Sequence, residues 1–131
     1  MKKVLVVVVL VALLSWLSIR LARPRDQAKT CRLNIKTIVT ALELYSTDNQ
    51  GDYPRSLAVL TPNYLKSVLV CPAVEADTYS ASYEVSGFEP DKDGQETPDV
   101  FTVYCKGENH AAAGLPANNP RYNIDDYVMD R

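Results

Sequence analysis

Three cysteines and a single histidine carry most of the reactive chemistry in this 131-residue chain: Cys31, Cys71, Cys105 and His110. No two of the cysteines form a Cys-x-x-Cys pair and zinc-type spacing is absent along the chain, so the spacing predicts no metal cluster. A set of 3 thiols permits any one of the pairwise disulfides and leaves one thiol over. Cys71 and Cys105 bracket the predicted strands, which makes them the favoured pair, and closing that loop contributes roughly 3–4 kcal/mol on the chain-entropy model. The competing reading is three buried, reduced cysteines that act as small hydrophobes. Cys105 with His110 has the makings of a nucleophile and its base, against the plainer role of a turn histidine bonded to backbone.

With His110 as the sole histidine, nothing suggests a histidine metal cage or a pair of acid–base histidines. Glycine-rich phosphate loops, a Ser-His-Asp order and metalloprotease helices are also missing from the sequence. The expectation is a protein without catalytic residues, hence not an enzyme, and without a small-molecule substrate. Asp91, Asp93 and Glu96 place alternating oxygen ligands around Gly94, like a shortened calcium loop, but without the spacing of a full EF-hand. A solvated acidic loop is the ordinary reading of such a stretch, so no cofactor is expected and calcium is a weak candidate.

Charge is segregated along the chain. Residues 1–36 carry eight basic side chains against Asp26 alone, a net of +7, and residues 37–131 carry a net of −9. The acidic part repels phosphates and argues against nucleic acid as a partner. The basic part suits contact with anionic lipid head groups.

These residues must be positioned by a small number of elements. Val4–Ile19 is a run of 16 apolar or small residues with Lys2 and Lys3 before it and Arg20, Arg23 and Arg25 after it. As a helix it rises about 24 Å, slightly short of the ~30 Å hydrocarbon core, and snorkelling basic side chains make up the difference. Val4, Leu10, Leu14, Trp16 and Ile19 are the anchor residues, with Trp16 near an interface where indoles are favoured. A cleaved secretory signal is the alternative. The stretch Ser18-Ile19-Arg20-Leu21-Ala22-Arg23 offers no good pair of small residues for cleavage, and no lipobox precedes Cys31. Residues 1–22 therefore read as an uncleaved membrane anchor and residues 23–131 as one extracytoplasmic domain. The positive-inside rule alone does not decide the orientation; the cysteines and the acidic head favour export.

Pro24 either kinks the helix or starts a new one with Asp26 in its first turn. Beyond it, Cys31, Ile35, Ile38, Val39, Leu42 and Tyr45 recur at three- and four-residue steps, the apolar stripe of an amphipathic helix over about residues 26–47. Cys31, Ile35, Ile38, Leu42 and Tyr45 form its packing face. Ser46-Thr47-Asp48-Asn49-Gln50-Gly51-Asp52 ends it. Ser56 and Thr61 are good N-cap types and Pro62 suits a first helical position, which predicts two short helical turns. Thr78–Val85 and Val100–Cys105 alternate as strands flanking a polar loop from Glu89 to Pro98, and Arg121–Ile124 with Tyr127–Met129 adds a third strand or packed tail. The fold class expected is α+β: a long N-terminal helix, membrane half plus amphipathic half, on a small antiparallel sheet over about residues 78–128, with short helical turns between.

The stretch CRLNIKTIVTALELYSTDNQGDYPRSLAVLTPNYLKSVLVCP resembles the globular part of type IV pilin-like proteins, above all the major pseudopilins of type II secretion. The Ala-Leu-Glu-x-Tyr motif followed by Asp-Asn-x-Gly-x-Tyr-Pro carries the resemblance. Tyr104-Cys105-Lys106-Gly107-Glu108-Asn109-His110 and Ala113-Gly114-Leu115-Pro116 extend it towards the C-terminus. It implies a pilin-like fold and a structural or accessory subunit of a type IV pilus or type II secretion apparatus. Such a subunit sits in the bacterial inner membrane by a single pass, with its domain in the periplasm or outside. Its partners would be other pilin-like subunits or secretion-apparatus proteins. Major pseudopilins bind calcium in a C-terminal loop, for which Asn118, Asn119, Asp125 and Asp126 are the residues available. The family's cleavage glycine and membrane glutamate have no counterpart: no glycine precedes Gly51, and no acidic residue interrupts Val4–Ile19. An anchored relative outside the filament, a membrane-tethered binding module, is the other expectation.

Overall fold

An apolar run after Lys2 and Lys3, followed by a striped amphipathic one, forms a single helix, α1 (Lys2–Asp48), of 47 residues. The computed structural model describes residues 2–90, 96–124 and 128–129. At 1.5 Å per residue α1 is about 70 Å long. Pro24 lies inside it and starts no new helix. Its missing N–H leaves the Arg20 carbonyl without the usual i+4 donor, but the residues on both sides remain helical, so the boundary between anchor and domain falls within a single element.

Over the described residues, the apolar side chains of the upper half of α1 are largely exposed. Val4, Leu10, Leu14 and Trp16 are 68%, 53%, 64% and 57% exposed, while the side chain of Ile19 lies outside the described residues. Ser15 and Ser18 donate to the carbonyls of Val11 and Leu14, four residues back, at 2.8 and 2.9 Å. No hydroxyl in this run is therefore left unbonded, which suits a helix surrounded by hydrocarbon. The helix is long and apolar enough to cross a membrane.

The lower half is striped, and the stripe meets the rest of the chain. Cys31, Ile35, Ile38 and Leu42 are completely buried, Val39 and Ala41 nearly so, and Tyr45 packs against the same cluster. α1 ends where Gly51 N–H reaches back to the Ser46 carbonyl at 2.9 Å and Asn49 Nδ2 donates to the Tyr45 carbonyl at 2.7 Å. Gln50 occupies the left-handed region there, at φ 64°, where a side chain with a Cβ is strained. Replacing Gln50→Gly is expected to stabilise the domain by about 0.5–1 kcal/mol, read from the urea midpoint of the detergent-solubilised chain.

Between stem and sheet only one of the two expected helical turns forms as a 3-10 helix, Leu57–Leu60, with the Ser56 hydroxyl accepting from Ala58 N. Thr61 ends that helix instead of starting the next: its N–H and hydroxyl both bond the Ala58 carbonyl. The Thr61–Pro62 bond is cis, and residues 61–64 are a turn. Tyr64 closes the turn onto α1, donating its hydroxyl to Asp48 Oδ2 at 2.9 Å and meeting Tyr45 edge-on.

The sheet is antiparallel, of order β1-β2-β3-β4: β1 (Glu84–Pro90), β2 (Glu96–Tyr104), β3 (Arg121–Asn123) and β4 (Val128–Met129). β1 and β2 form a hairpin in which Val85 faces Phe101 and Glu89 faces Thr97. The strands thus extend into the stretch expected to be a polar loop. The expected first strand at Thr78–Val85 is mostly turn. Asp77 Oδ1 accepts from the N–H groups of Tyr79 and Ser80, so a local side-chain bond replaces a ladder partner. Central strand β2 alternates as expected for a half-covered sheet: Phe101 and Val103 are fully buried, as is Cys105 just beyond its end, and Thr102 and Tyr104 are half-buried. One core results, α1 on one side and β2 on the other, with Leu57, Leu60 and Leu65 filling its end.

Candidate metal centre

The four chemically reactive residues converge. Cys31 is the first fully buried residue of the α1 stripe, Cys71 lies in the loop before Tyr79, Cys105 follows β2, and His110 precedes the short 3-10 turn Ala111–Ala113. Their sulfur and imidazole nitrogen atoms all lie within 4.8 Å of one another. His110 Nε2 is 3.5 Å from Cys71 Sγ and 3.6 Å from Cys105 Sγ. All three cysteines are free thiols at 0% exposure and His110 is 2% exposed.

Each residue is aimed by local chemistry. A turn closed by the N–H groups of Val74 and Glu75 on the Cys71 carbonyl, with Cys71 bridged to Ala76, fixes Cys71. The loop from Cys105 to His110 is clasped by Asn118, whose Oδ1 accepts from Gly107 N at 2.9 Å while its own N–H bonds the Gly107 carbonyl at 2.8 Å. Gly107 stands at φ +111°, and a Cβ there would come within 3.2 Å of Asn109 Oδ1. Gly107→Ala is expected to destabilise the domain by about 1–3 kcal/mol, seen as a lower denaturation midpoint. An unchanged midpoint would rule out the clasp as a structural element.

A ring of donors surrounds the sulfurs. Asn34 Nδ2 donates to the Val70 carbonyl at 2.9 Å, which fixes how its amide is turned, and its second N–H reaches the Tyr79 hydroxyl oxygen at 3.3 Å. The Tyr79 hydrogen is thereby directed to Cys31 Sγ, 3.0 Å away. Burial and the neighbouring Cys31 hold the Tyr79 phenol well above its ordinary pKa, so it stays protonated and donates. Asn109 repeats the arrangement, anchored by the Lys106 carbonyl at 2.9 Å and donating to Cys105 Sγ at 3.4 Å, with the Thr78 hydroxyl 3.3 Å from the same sulfur. Hydrogen bonding from Cys31, helped by Asn109 and Thr78, lowers the Cys105 pKa to about 4. Bonding to Cys105 and burial raise that of Cys31, and burial raises that of Cys71.

Spacing along the chain did not anticipate this cluster, because three separate segments deliver its four donors: α1, the Cys71 turn and the loop from Cys105 to His110. The informative local signal was the Cys105–His110 separation of five positions, within the range of paired zinc ligands. His110 is not a turn histidine bonded only to backbone: its carbonyl accepts from Ala113 and Leu115 while its ring faces two sulfurs. Nor is Cys105 with His110 placed to attack a substrate, since both are sealed from solvent. The favoured disulfide partners Cys71 and Cys105 do meet, but as free thiols alongside Cys31. Of the calcium candidates, Asp91, Asp93, Asp125 and Asp126 and the side chain of Glu96 lie outside the described residues. Asn118 serves the Gly107 clasp.

No protein-family model, curated protein or solved structure matches this chain.

Proposed function

We propose that this protein is a non-enzymatic, membrane-anchored pilin-like subunit, structural or accessory, of a type IV pilus or type II secretion-type apparatus. The observation that carries the reading is α1 itself: one continuous helix, exposed and apolar above, buried on a small antiparallel sheet below. Such a stem leaves its upper half free for lipid or for the stems of other subunits. The motif around Ala41-Leu42-Glu43-x-Tyr45 and the turn to Pro54 support it. The head is placed outside the cytoplasm, in the periplasm or beyond, with the basic residues Arg23, Arg25 and Lys29 against anionic head groups at the inner membrane.

A second reading, a stand-alone tethered binding module, is favoured by the absence of any acidic residue in Val4–Ile19. An ionisable group in a membrane run is costly and usually functional, and this run carries none. Cell fractionation separates the two. A chain that co-isolates with other pilin-like subunits or appears in sheared filaments supports the first; a chain found only in membranes, uncomplexed, supports the second. The anchor has its own test. Leu10→Arg places a charge near the middle of the run at a cost of about 2.5–3.5 kcal/mol, and is expected to shift much of the protein from the membrane to the soluble fraction.

A further inference from the structure

We propose that Cys31, Cys71, Cys105 and His110 bind one zinc ion as a closed, structural site that fastens the stem helix to the head. This inference goes beyond the assembly role and stands whether or not the chain polymerises.

Donor chemistry comes first. Three sulfurs and one imidazole form a soft set that selects zinc over calcium or magnesium, whose ligands are oxygens. Geometry agrees. A tetrahedral ion with bonds of about 2.3 Å to sulfur and about 2.0 Å to nitrogen requires ligand atoms roughly 3.5–3.8 Å apart. Two of the three nitrogen–sulfur separations are 3.5 and 3.6 Å, and all four ligand atoms lie within 4.8 Å of one another. Four protein ligands complete the coordination and leave no position for substrate, the mark of a structural site.

The donors around the sulfurs are the independent observation. Asn109 donates to Cys105 Sγ, Asn34 through Tyr79 turns a hydroxyl hydrogen on Cys31 Sγ, and the Thr78 hydroxyl lies 3.3 Å from Cys105 Sγ. A neutral thiol accepts weakly, and a core built of thiols would bring apolar groups to them instead. Bonds of this kind spread the excess negative charge of three thiolates on a dication and orient metal ligands. Metal binding releases the thiol protons, one from each cysteine still protonated, and the imidazole binds in its neutral form. Complete burial shields the bound thiolates from oxidants, so the site is compatible with an extracytoplasmic head.

The test uses the full chain, extracted in detergent under reducing conditions. After incubation with zinc and desalting, elemental analysis is expected to find about one zinc per chain. Cobalt in its place is expected to give the strong visible bands of tetrahedral coordination together with sulfur-to-cobalt charge transfer. His110→Cys keeps four ligands: it retains the metal, and its charge-transfer band grows. Cys31→Ala is expected to weaken binding by at least 100-fold in competition with a chelator, and His110→Cys keeps the test decisive should that variant not fold. Wild-type protein that stays metal-free with three reactive thiols would overturn the proposal. So would a Cys71–Cys105 disulfide, detected by intact mass in protein prepared without reductant, that persists in the presence of zinc.

Discussion

Chelating the metal from the reduced, purified protein is expected to lower its melting temperature by roughly 10–30 °C and to leave α1 as its main residual structure. The magnitude follows from linkage: a ligand that binds only the folded state stabilises it by about 2.7 kcal/mol at 100 times its Kd and about 4.1 at 1,000 times. For a head of this size each kcal/mol moves the midpoint by about 4–8 °C. The effect is large because the site joins parts of the chain that otherwise meet through the apolar core and a few hydrogen bonds, such as those from Asn34 to the Val70 carbonyl and from Gln27 to the Pro72 carbonyl. Cys31 brings the stem, Cys71 the connecting loop, and Cys105 with His110 the end of the sheet. Differential scanning calorimetry with and without chelator measures it, and re-adding zinc restores the midpoint while calcium and magnesium do not. A midpoint indifferent to chelator and zinc would show that packing alone holds the head together.

Phe101→Ala is expected to destabilise the head by about 3–5 kcal/mol. Phe101 is completely buried at the centre of β2, and its ring touches three others. Tyr53 meets it edge-on at 4.7 Å, Tyr122 stacks at 5.7 Å, and Tyr83 lies tilted at 6.2 Å. Truncation removes these contacts together and leaves a cavity against α1 that strands on both sides prevent from collapsing. Urea unfolding of the two proteins with equal m-values gives the difference directly. Tyr83→Phe is a measure of scale: it removes only the hydroxyl bond to the Pro54 carbonyl and should cost about 0.5–1.5 kcal/mol. A loss no greater for Phe101→Ala than for Tyr83→Phe would mean that the aromatic cluster does not organise the core.

Much of the architecture follows from local pattern. An unbroken apolar run has one stable form without a partner, a helix, and the 3.6-residue stripe from Cys31 to Tyr45 requires an opposing layer. Two-residue alternation at Phe101, Val103 and Cys105 is equally direct, since a strand covered on one face must bury every second side chain. Those three features specify a stem, its buried side and the strand beneath it. Where local pattern misled, a competing local bond was responsible. Tyr79, Ala81 and Tyr83 alternate as a strand does, yet Asp77 captures the backbone of Tyr79 and Ser80, and Tyr79 points to Cys31. The strand begins later, at Glu84.

The donor cluster belongs to tertiary structure alone. Cys71 and His110 stand 39 positions apart, and Tyr79 stands 48 from the cysteine it bonds, distances that no local spacing rule can read. The cysteine and histidine types, the apolar stem and the periodicities are written in the sequence, because each depends on neighbours within a turn or two. Which thiols meet, and that His110 joins them, is decided only when α1 packs on β2. That contact brings Cys31 and Cys105 to opposite sides of the same small space, which the Cys71 and Gly107 turns then close.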